Sequence, residues 1–229
     1  MAKRTEQVIE VEGKTLTVSN LDKVLYPEAG FTKGQVIDYF IRIAPFALPH
    51  LKGRPLTLKR YPNGVNGMFF YEKNCPVHRP DWVQTAPIWS EGNQKTMQYC
   101  LAQDIPTLVW AGNLADLEWH TSLSLAEDMD HPTALVFDLD PGEPANMLQC
   151  CQVGLWVRHL FEQMKLECWA KTSGSKGLQV YVPLNSQHDT YNETKSFAHA
   201  LARLLEETHP ELVVSDMKKT LRVGKILVD

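Results

Sequence analysis

The sequence contains no apolar run near the roughly 18 residues that a membrane span requires. Its first residues, Met1-Ala2-Lys3-Arg4-Thr5-Glu6-Gln7, turn polar at once and carry no apolar h-region, which reads as no secretory signal. Cysteine is scarce. The five are Cys75, Cys100, Cys150, Cys151 and Cys168, an odd number with one adjacent pair and no C-x-x-C. That pattern predicts no disulfide framework and a reducing cytoplasm. Cys75 and His78 have C-x-x-H spacing, but no second such pair follows, so a plain loop is favoured over structural zinc. Internal repeats, low-complexity tracts and Ser/Gly linkers are also absent. The 229 residues are 44% hydrophobic and 22% charged, which excludes disorder and fibrous repeats as the main state.

There is no overall excess of positive charge, since 23 Lys/Arg stand against 27 Asp/Glu. A net charge of −4 argues mildly against nucleic acid, but its distribution reverses that impression. Residues 1–80 carry 12 Lys/Arg against 7 Asp/Glu, and residues 81–170 carry 3 against 13. This suggests an anion-binding face beside a cation-binding centre, with two solvated faces of opposite sign as the plainer alternative.

Alternation over residues 8–18 around Glu12-Gly13-Lys14 predicts a hairpin. Thr32-Lys33-Gly34-Gln35 is a capping box opening a helix to about residue 47. Short strands are predicted over 55–60, 68–71, 96–102 and 115–122, with a short helix capped by Asp104. Further along, strands over 133–138, 167–172, 178–184, 211–215 and 221–229 alternate with helices over 145–165 and 190–207. The irregular interleaving and the hairpins predict an α+β fold, mixed β-sheets with flanking helices. It is read as a single domain, 1–229, that looks cut after its last strand.

Asp138 and Asp140 are two apart on a strand, so both carboxylates face one way at its mouth, where Pro141-Gly142 follows. Two such acids repel unless a cation neutralises them, and Mg²⁺ or Mn²⁺ does so with oxygen ligands. The alternative is a solvated strand end. Ser173-Gly174-Ser175-Lys176-Gly177 offers backbone N–H groups, hydroxyls and a cation to a phosphate. It is not a Walker A loop, because a strand follows it, and an ordinary hairpin turn fits equally well. Lys59-Arg60-Tyr61-Pro62-Asn63-Gly64 and Phe69-Phe70-Tyr71-Glu72-Lys73 interleave base and aromatic, as single-stranded nucleic-acid surfaces do. Taken alone, they equally describe a strand burying alternate aromatics. His120 on its strand reads alone as structural.

In combination these segments resemble the polymerase domain of bacterial ligase D, in the archaeo-eukaryotic primase superfamily serving non-homologous end joining. The matching stretches run in family order: Asn20-Leu21-Asp22-Lys23-Val24-Leu25-Tyr26-Pro27, Lys59-Arg60-Tyr61-Pro62-Asn63-Gly64, Phe70-Tyr71-Glu72-Lys73, Leu117-Glu118-Trp119-His120, Val136-Phe137-Asp138-Leu139-Asp140-Pro141-Gly142, Thr172-Ser173-Gly174-Ser175-Lys176-Gly177-Leu178 and Leu221-Arg222-Val223-Gly224-Lys225-Ile226-Leu227-Val228-Asp229. The resemblance implies a primase-polymerase-like catalytic core that adds nucleotides, ribonucleotides preferred, to primer 3′ ends at breaks or gaps. It implies Asp138, Asp140 and Asp229 as the metal-binding triad for Mn²⁺ or Mg²⁺. Ser173, Lys176, His120 and Arg222 would contact the nucleoside triphosphate, and Phe70 and Tyr71 would stack on base and template. Lys23 and Lys33 would hold a 5′-phosphate at a DNA end, and Lys59 and Arg60 would belong to the DNA or nucleotide surface. Ku and a DNA ligase are the implied partners, with no membrane.

The sequence departs from the family pattern twice. Gln179 stands where the family has a histidine on the active-site wall, and Gln cannot become cationic. The chain also stops on Asp229, where the family domain continues. An alternative is therefore a 5′-phosphate-binding module that needs a separate remainder for catalysis. A haloacid-dehalogenase phosphatase, suggested by Asp-Leu-Asp, is disfavoured because its motif lies near the N-terminus and precedes Gly-Thr.

Overall fold

The computed structural model describes residues 5–186 and 188–229; residues 1–4, the start of the stretch read above for a signal, lie outside it. The chain divides into two compact units, Met1–Glu127 and Asp128–Asp229, each with its own apolar core. Among the described residues no helix is long and apolar enough to cross a membrane.

The first unit opens with the predicted hairpin, β1 (Glu6–Val11) and β2 (Lys14–Ser19), paired antiparallel from Glu6↔Ser19 to Val11↔Lys14. The short strands β3 (Val24–Tyr26) and β4 (Phe31–Thr32) follow. Helix α1 (Lys33–Leu51) starts on the predicted capping box, with the Thr32 side chain accepting from the Gln35 amide and Gln35 from the Thr32 amide. It runs four residues past the expected end through Pro45 and Pro49, and buried Leu51 anchors its last turn.

Strands β5 (Leu56–Arg60), β6 (Phe70–Glu72), β7 (Thr85–Ser90) and β8 (Lys95–Cys100) form a sheet in the order β6-β5-β8-β7. Helix α2 (Ile105–Asn113), capped by Asp104, leads to β9 (Asp116–Thr121), which pairs with β5. Strand β7 was not expected. Pro87 masks its pattern, and it is tolerated because β7 is an edge strand where one face needs no donor. Cys75 and Cys100 are joined by a disulfide, a single bridge where the cysteine pattern predicted no disulfide framework, while Cys150, Cys151 and Cys168 are free. The bridge also removes Cys75 as a zinc ligand.

In the second unit, β10 (Ala134–Pro141), α3 (Met147–Gln163), β11 (Trp169–Thr172), β12 (Leu178–Pro183), α4 (Tyr191–Thr208), β13 (Val213–Val214) and β14 (Ile226–Val228) follow in order. The sheet order is β11-β12-β10-β14-β13, antiparallel except for the β13–β14 pair, so the sheets are mixed as predicted. Leu135, Phe137 and Leu139 alternate into the core with Val153, Val157 and Phe161 of α3. Each fully buried side chain of this size contributes about 2 kcal/mol. The period of two then forces Asp138 and Asp140 onto the opposite face.

The strand predicted over 221–229 is shorter than expected. Residues Lys219–Leu221 make a 3₁₀ turn and only Ile226–Val228 is strand. The intervening residues instead bind the end of β10. Gly142 N–H donates to Lys225 O at 2.8 Å, and Gly224 N–H to Gly142 O at 3.0 Å.

Candidate active site

Strand pairing builds one cluster on the helix-free face of the second unit. Asp138 lies opposite Gln179 in β12. On its other side Asp138 N–H donates to Asp229 O at 2.7 Å and Asp229 N–H to Asp138 O at 3.1 Å. Such hydrogen-bonded antiparallel pairs hold their α-carbons about 5.5 Å apart. Lys171 of β11 is in turn opposite Gln179, so a cross-strand row runs Lys171, Gln179, Asp138, Asp229. Asp140 sits two residues along β10 from Asp138, opposite Leu227.

Carboxylates outnumber the one cation, Lys171, in and beside this row. Asp138 is half-buried, and its Oδ1 finds no hydrogen-bond partner among the described residues. Burial pushes its carboxyl above the usual range, and Asp140 and Asp229 push it further, against a hydrogen bond from Gln179 and the charge of Lys171. Oxygen donors of this kind suit a hard divalent cation. The three carboxylates do not close around a point, and among the described residues no three acidic, His or Cys side chains form a metal-binding group. The residues therefore fit a cation in charge and donor type, with a cage still open.

Gln179 is tied down rather than idle. Its Oε1 accepts from Lys171 Nζ at 2.9 Å and from Tyr181 Oη at 3.2 Å. Lys171 thus brings a cation to the row beside a position where Gln179 cannot carry charge, and no motif in the sequence pointed to it.

The glycine loop presses on the same strand. Ser173 Oγ accepts from Gly177 N at 3.1 Å and Ser175 N at 3.3 Å, which closes the turn. A Cβ on Gly177 would lie 2.4 Å from Leu139 O and 3.2 Å from Asp140 Oδ1, so only glycine brings the loop this close. Lys176 reaches out to Glu143 at 3.0 Å, both side chains well exposed. Arg222 Nη2 donates to Met217 O, while its buried Nε lacks a partner among the described residues. A cavity of about 730 Å³ in this unit, lined by Cys151, Leu155, Cys168 and Trp169, adjoins the α3-facing side chains Leu178 and Val180 and not the carboxylates.

In the first unit the predicted residues fall into three groups. Tyr71, Lys59 and His120 share one face of the sheet, because Lys59 pairs with Tyr71 on one side and Glu118 on the other. Phe70 points to the opposite face, where Arg60 lies 5.2 Å from its ring centroid. Phe70 and Tyr71 are therefore both available for stacking, 43% and 55% exposed, but on opposite sides of their strand. Phe69, which carried no sequence assignment, accompanies Tyr71, with ring centroids 6.0 Å apart.

Lys59 and Arg60 are not open cations. Lys59 Nζ is 2.8 Å from Glu118 Oε1, and Arg60 Nη1 is 2.8 Å from Glu72 Oε2 while its Nε donates to Leu114 O at 3.2 Å. Of the two lysines assigned to a 5′-phosphate, Lys23 is exposed and bonded to Pro62 O at 2.5 Å and Asn63 Oδ1 at 3.2 Å. Lys33 is only 5% exposed, its Nζ on Asn113 O at 3.0 Å and Oδ1 at 3.1 Å. Their backbones join through Lys33 N–H to Lys23 O at 2.8 Å.

Asp116, opposite Arg60 on β9, is fully buried, and neither of its carboxylate oxygens has a partner among the described residues. Burial pushes its carboxyl well above the usual range, with Arg60 pulling it back. The folded state therefore keeps a proton that the unfolded chain releases. Stability falls as pH rises from the ordinary carboxylate value through the raised one. Asp116→Asn is expected to melt above wild type at about pH 8 and level with it near about pH 4. Thermal denaturation at the two pH values checks this. A wild type that melts higher at the upper pH would mean that Arg60 keeps Asp116 ionised.

The chain matches the family model "LigD, primase-polymerase domain" over residues 32–229. It is 40% identical over 214 residues to the multifunctional non-homologous end joining protein LigD of Mycolicibacterium smegmatis, covering 93% of this chain and 28% of that protein. The bifunctional LigD of Bacillus subtilis is 31% identical over 214 residues, covering 93% and 34%. Among solved structures, the polymerase domain from Mycobacterium tuberculosis ligase D in complex with DNA superposes with a TM-score of 0.85 at 38% identity. That match covers 93% of this chain and 76% of the other. The chain thus spans about a third or less of the length of these curated relatives.

Proposed function

The chain belongs to the LigD primase-polymerase domain family, and on that premise we propose that it is a metal-dependent nucleotidyltransferase of DNA break repair. It adds nucleotides, ribonucleotides included, to primer 3′ ends at breaks or gaps. The observation that carries this reading is the row of Asp138, Asp229 and Asp140, with an unpartnered buried oxygen at its centre. Membership of a polymerase-domain family favours catalysis over bare end binding, and a haloacid-dehalogenase phosphatase finds no support in it.

Asp138, Asp140 and Asp229 would hold Mn²⁺ or Mg²⁺. A cation held there would neutralise the carboxylates and supply the charge that favours deprotonation of a primer 3′-hydroxyl and departure of pyrophosphate. The chain's own residues do the rest. The Ser173-to-Gly177 loop, closed by its own Ser173 hydroxyl and held against Asp140 by Gly177, would present Lys176 to phosphate oxygens. Arg222 adds a fixed positive charge. In-line transfer needs positioning and charge neutralisation, with no covalent enzyme intermediate. In the first unit, Phe70 and Tyr71 would stack on bases, and His120 would meet the nucleotide. We place the protein in the cytoplasm with its DNA, with Ku and a DNA ligase as partners.

Lys23 would take a 5′-phosphate. Lys23→Ala is expected to weaken binding to gapped DNA with a 5′-phosphate about fivefold, roughly the 1 kcal/mol of one phosphate contact. Binding to the same DNA without the phosphate should not change. Anisotropy titrations of the two DNAs check this, and equal losses on both would remove Lys23 from phosphate recognition. The test of the whole reading is labelled-nucleotide addition to gapped DNA, treated in the Discussion.

A further inference from the structure

Glu118 carries no role in the reading above, yet three functional groups converge on its carboxylate. Oε1 accepts from Lys59 Nζ at 2.8 Å and from the Tyr61 hydroxyl. Oε2 faces His120 Nε2 at 3.2 Å. Lys59 Nζ in turn lies 4.4 Å from the Phe69 ring centroid, 5.3 Å from Tyr61 and 5.6 Å from Tyr71. Tyr71 meets the His120 ring edge-on, centroids 5.7 Å apart and planes at 71°. Contacts therefore close a ring from Glu118 through Lys59 and Tyr71 to His120 and back to Glu118.

The sequence builds this ring through register. Lys59 pairs with Glu118 across β5–β9 and with Tyr71 across β5–β6. His120 is two residues beyond Glu118 and so shares its face. An exposed ion pair has little energy to give. The Lys59 side chain, however, is only 14% exposed, and the Glu118 carboxylate is shared among three partners. Burial alone would raise the Glu118 carboxyl, but Lys59, Tyr61 and His120 hold it below its usual range, so it stays an anion. A carboxylate only accepts, so it fixes His120 with a proton on Nε2.

We propose that Glu118 is a positioning residue that holds His120 and, through Lys59, the Tyr61-Phe69-Tyr71 shelf ready for an incoming nucleotide. The proposal rests on the reading of this face as the nucleotide side. Lys59 then serves as an anchor beneath the aromatic rings instead of a phosphate contact.

The test is Glu118→Gln, which keeps size and removes charge. Its KM for a ribonucleoside triphosphate is expected to rise about tenfold, as removal of an orienting neighbour does, with kcat within about twofold and DNA affinity unchanged. In a His120→Ala background the same change should add less than it does alone, because only the route through Lys59 is then left. Additive effects on KM, or no rise in KM, would overturn the proposal. The imidazole ¹⁵N signals of His120 provide a readout that needs no nucleotide addition. They should move in Glu118→Gln while other histidines stay put, and an unmoved His120 would overturn the proposal even if the chain adds nucleotides. If wild type adds none and His120 still moves, the positioning stands and the polymerase reading fails.

Discussion

Asp138→Ala is expected to lower nucleotide addition at least about a thousandfold while leaving affinity for gapped DNA within about twofold. Asp138 is the centre of the carboxylate row, with Gln179 opposite on one side and Asp229 on the other. Its raised carboxyl and orphaned Oδ1 mark it as the group with most to gain from a cation. Charge stabilisation in phosphoryl transfer reaches this size because it acts where charge develops. DNA affinity is expected to come instead from phosphate contacts by cations elsewhere, which the substitution leaves in place. Single-turnover extension of a labelled primer measures the first quantity, and anisotropy the second. Retained addition would remove Asp138 from the chemistry.

The second large effect is structural. A Cβ on Gly142 would lie 1.8 Å from Arg222 O and 2.6 Å from Arg222 C, both backbone atoms that cannot swing away. Gly142 also donates to Lys225 O and accepts from Gly224, so it joins the end of β10 to the segment leading into β14. Gly142→Ala is expected to destabilise the second unit by about 3 kcal/mol or more and to displace Arg222 from the site. Urea denaturation measures the loss. Gly92→Ala is the control, because a Cβ there meets nothing within 4 Å. Equal stability of the two variants would show that the β10 end does not need this contact.

Local signals in the sequence were strong where one residue type does one job. The Thr32 capping box, the Asp104 cap and the strand over 133–138 each formed as expected, because their physics is local. Asp138 and Asp140 fell on one face for the same reason. What escaped was non-local. Strand β7 is masked by Pro87 and recognised only by its place at a sheet edge. The segment before β14 reads as strand, but it is turned by backbone bonds to Gly142, some 80 residues earlier. The Cys75–Cys100 bridge spans 25 residues and left no mark in the spacing.

The same distinction runs through the site. Lys59 and Arg60 stand in a stretch that interleaves base and aromatic, and the acids that pair with them, Glu118 and Glu72, lie 59 and 12 residues away. Lys33, which the family resemblance sets on a 5′-phosphate, has its ammonium bonded to Asn113, 80 residues on. Lys171 reads as nothing in particular until β11 and β12 pair and set it against Gln179. Residue type gave the chemistry in each case, and register decided which residue was available to perform it.

The most direct measurement is addition of a labelled ribonucleotide by this chain to a gapped DNA bearing a 5′-phosphate, in the presence of Mn²⁺. The account predicts addition to the primer 3′ end, dependent on Mn²⁺ or Mg²⁺. Full binding of that DNA with no addition under either ion would contradict it, leaving a chain that recognises DNA ends without catalysing synthesis.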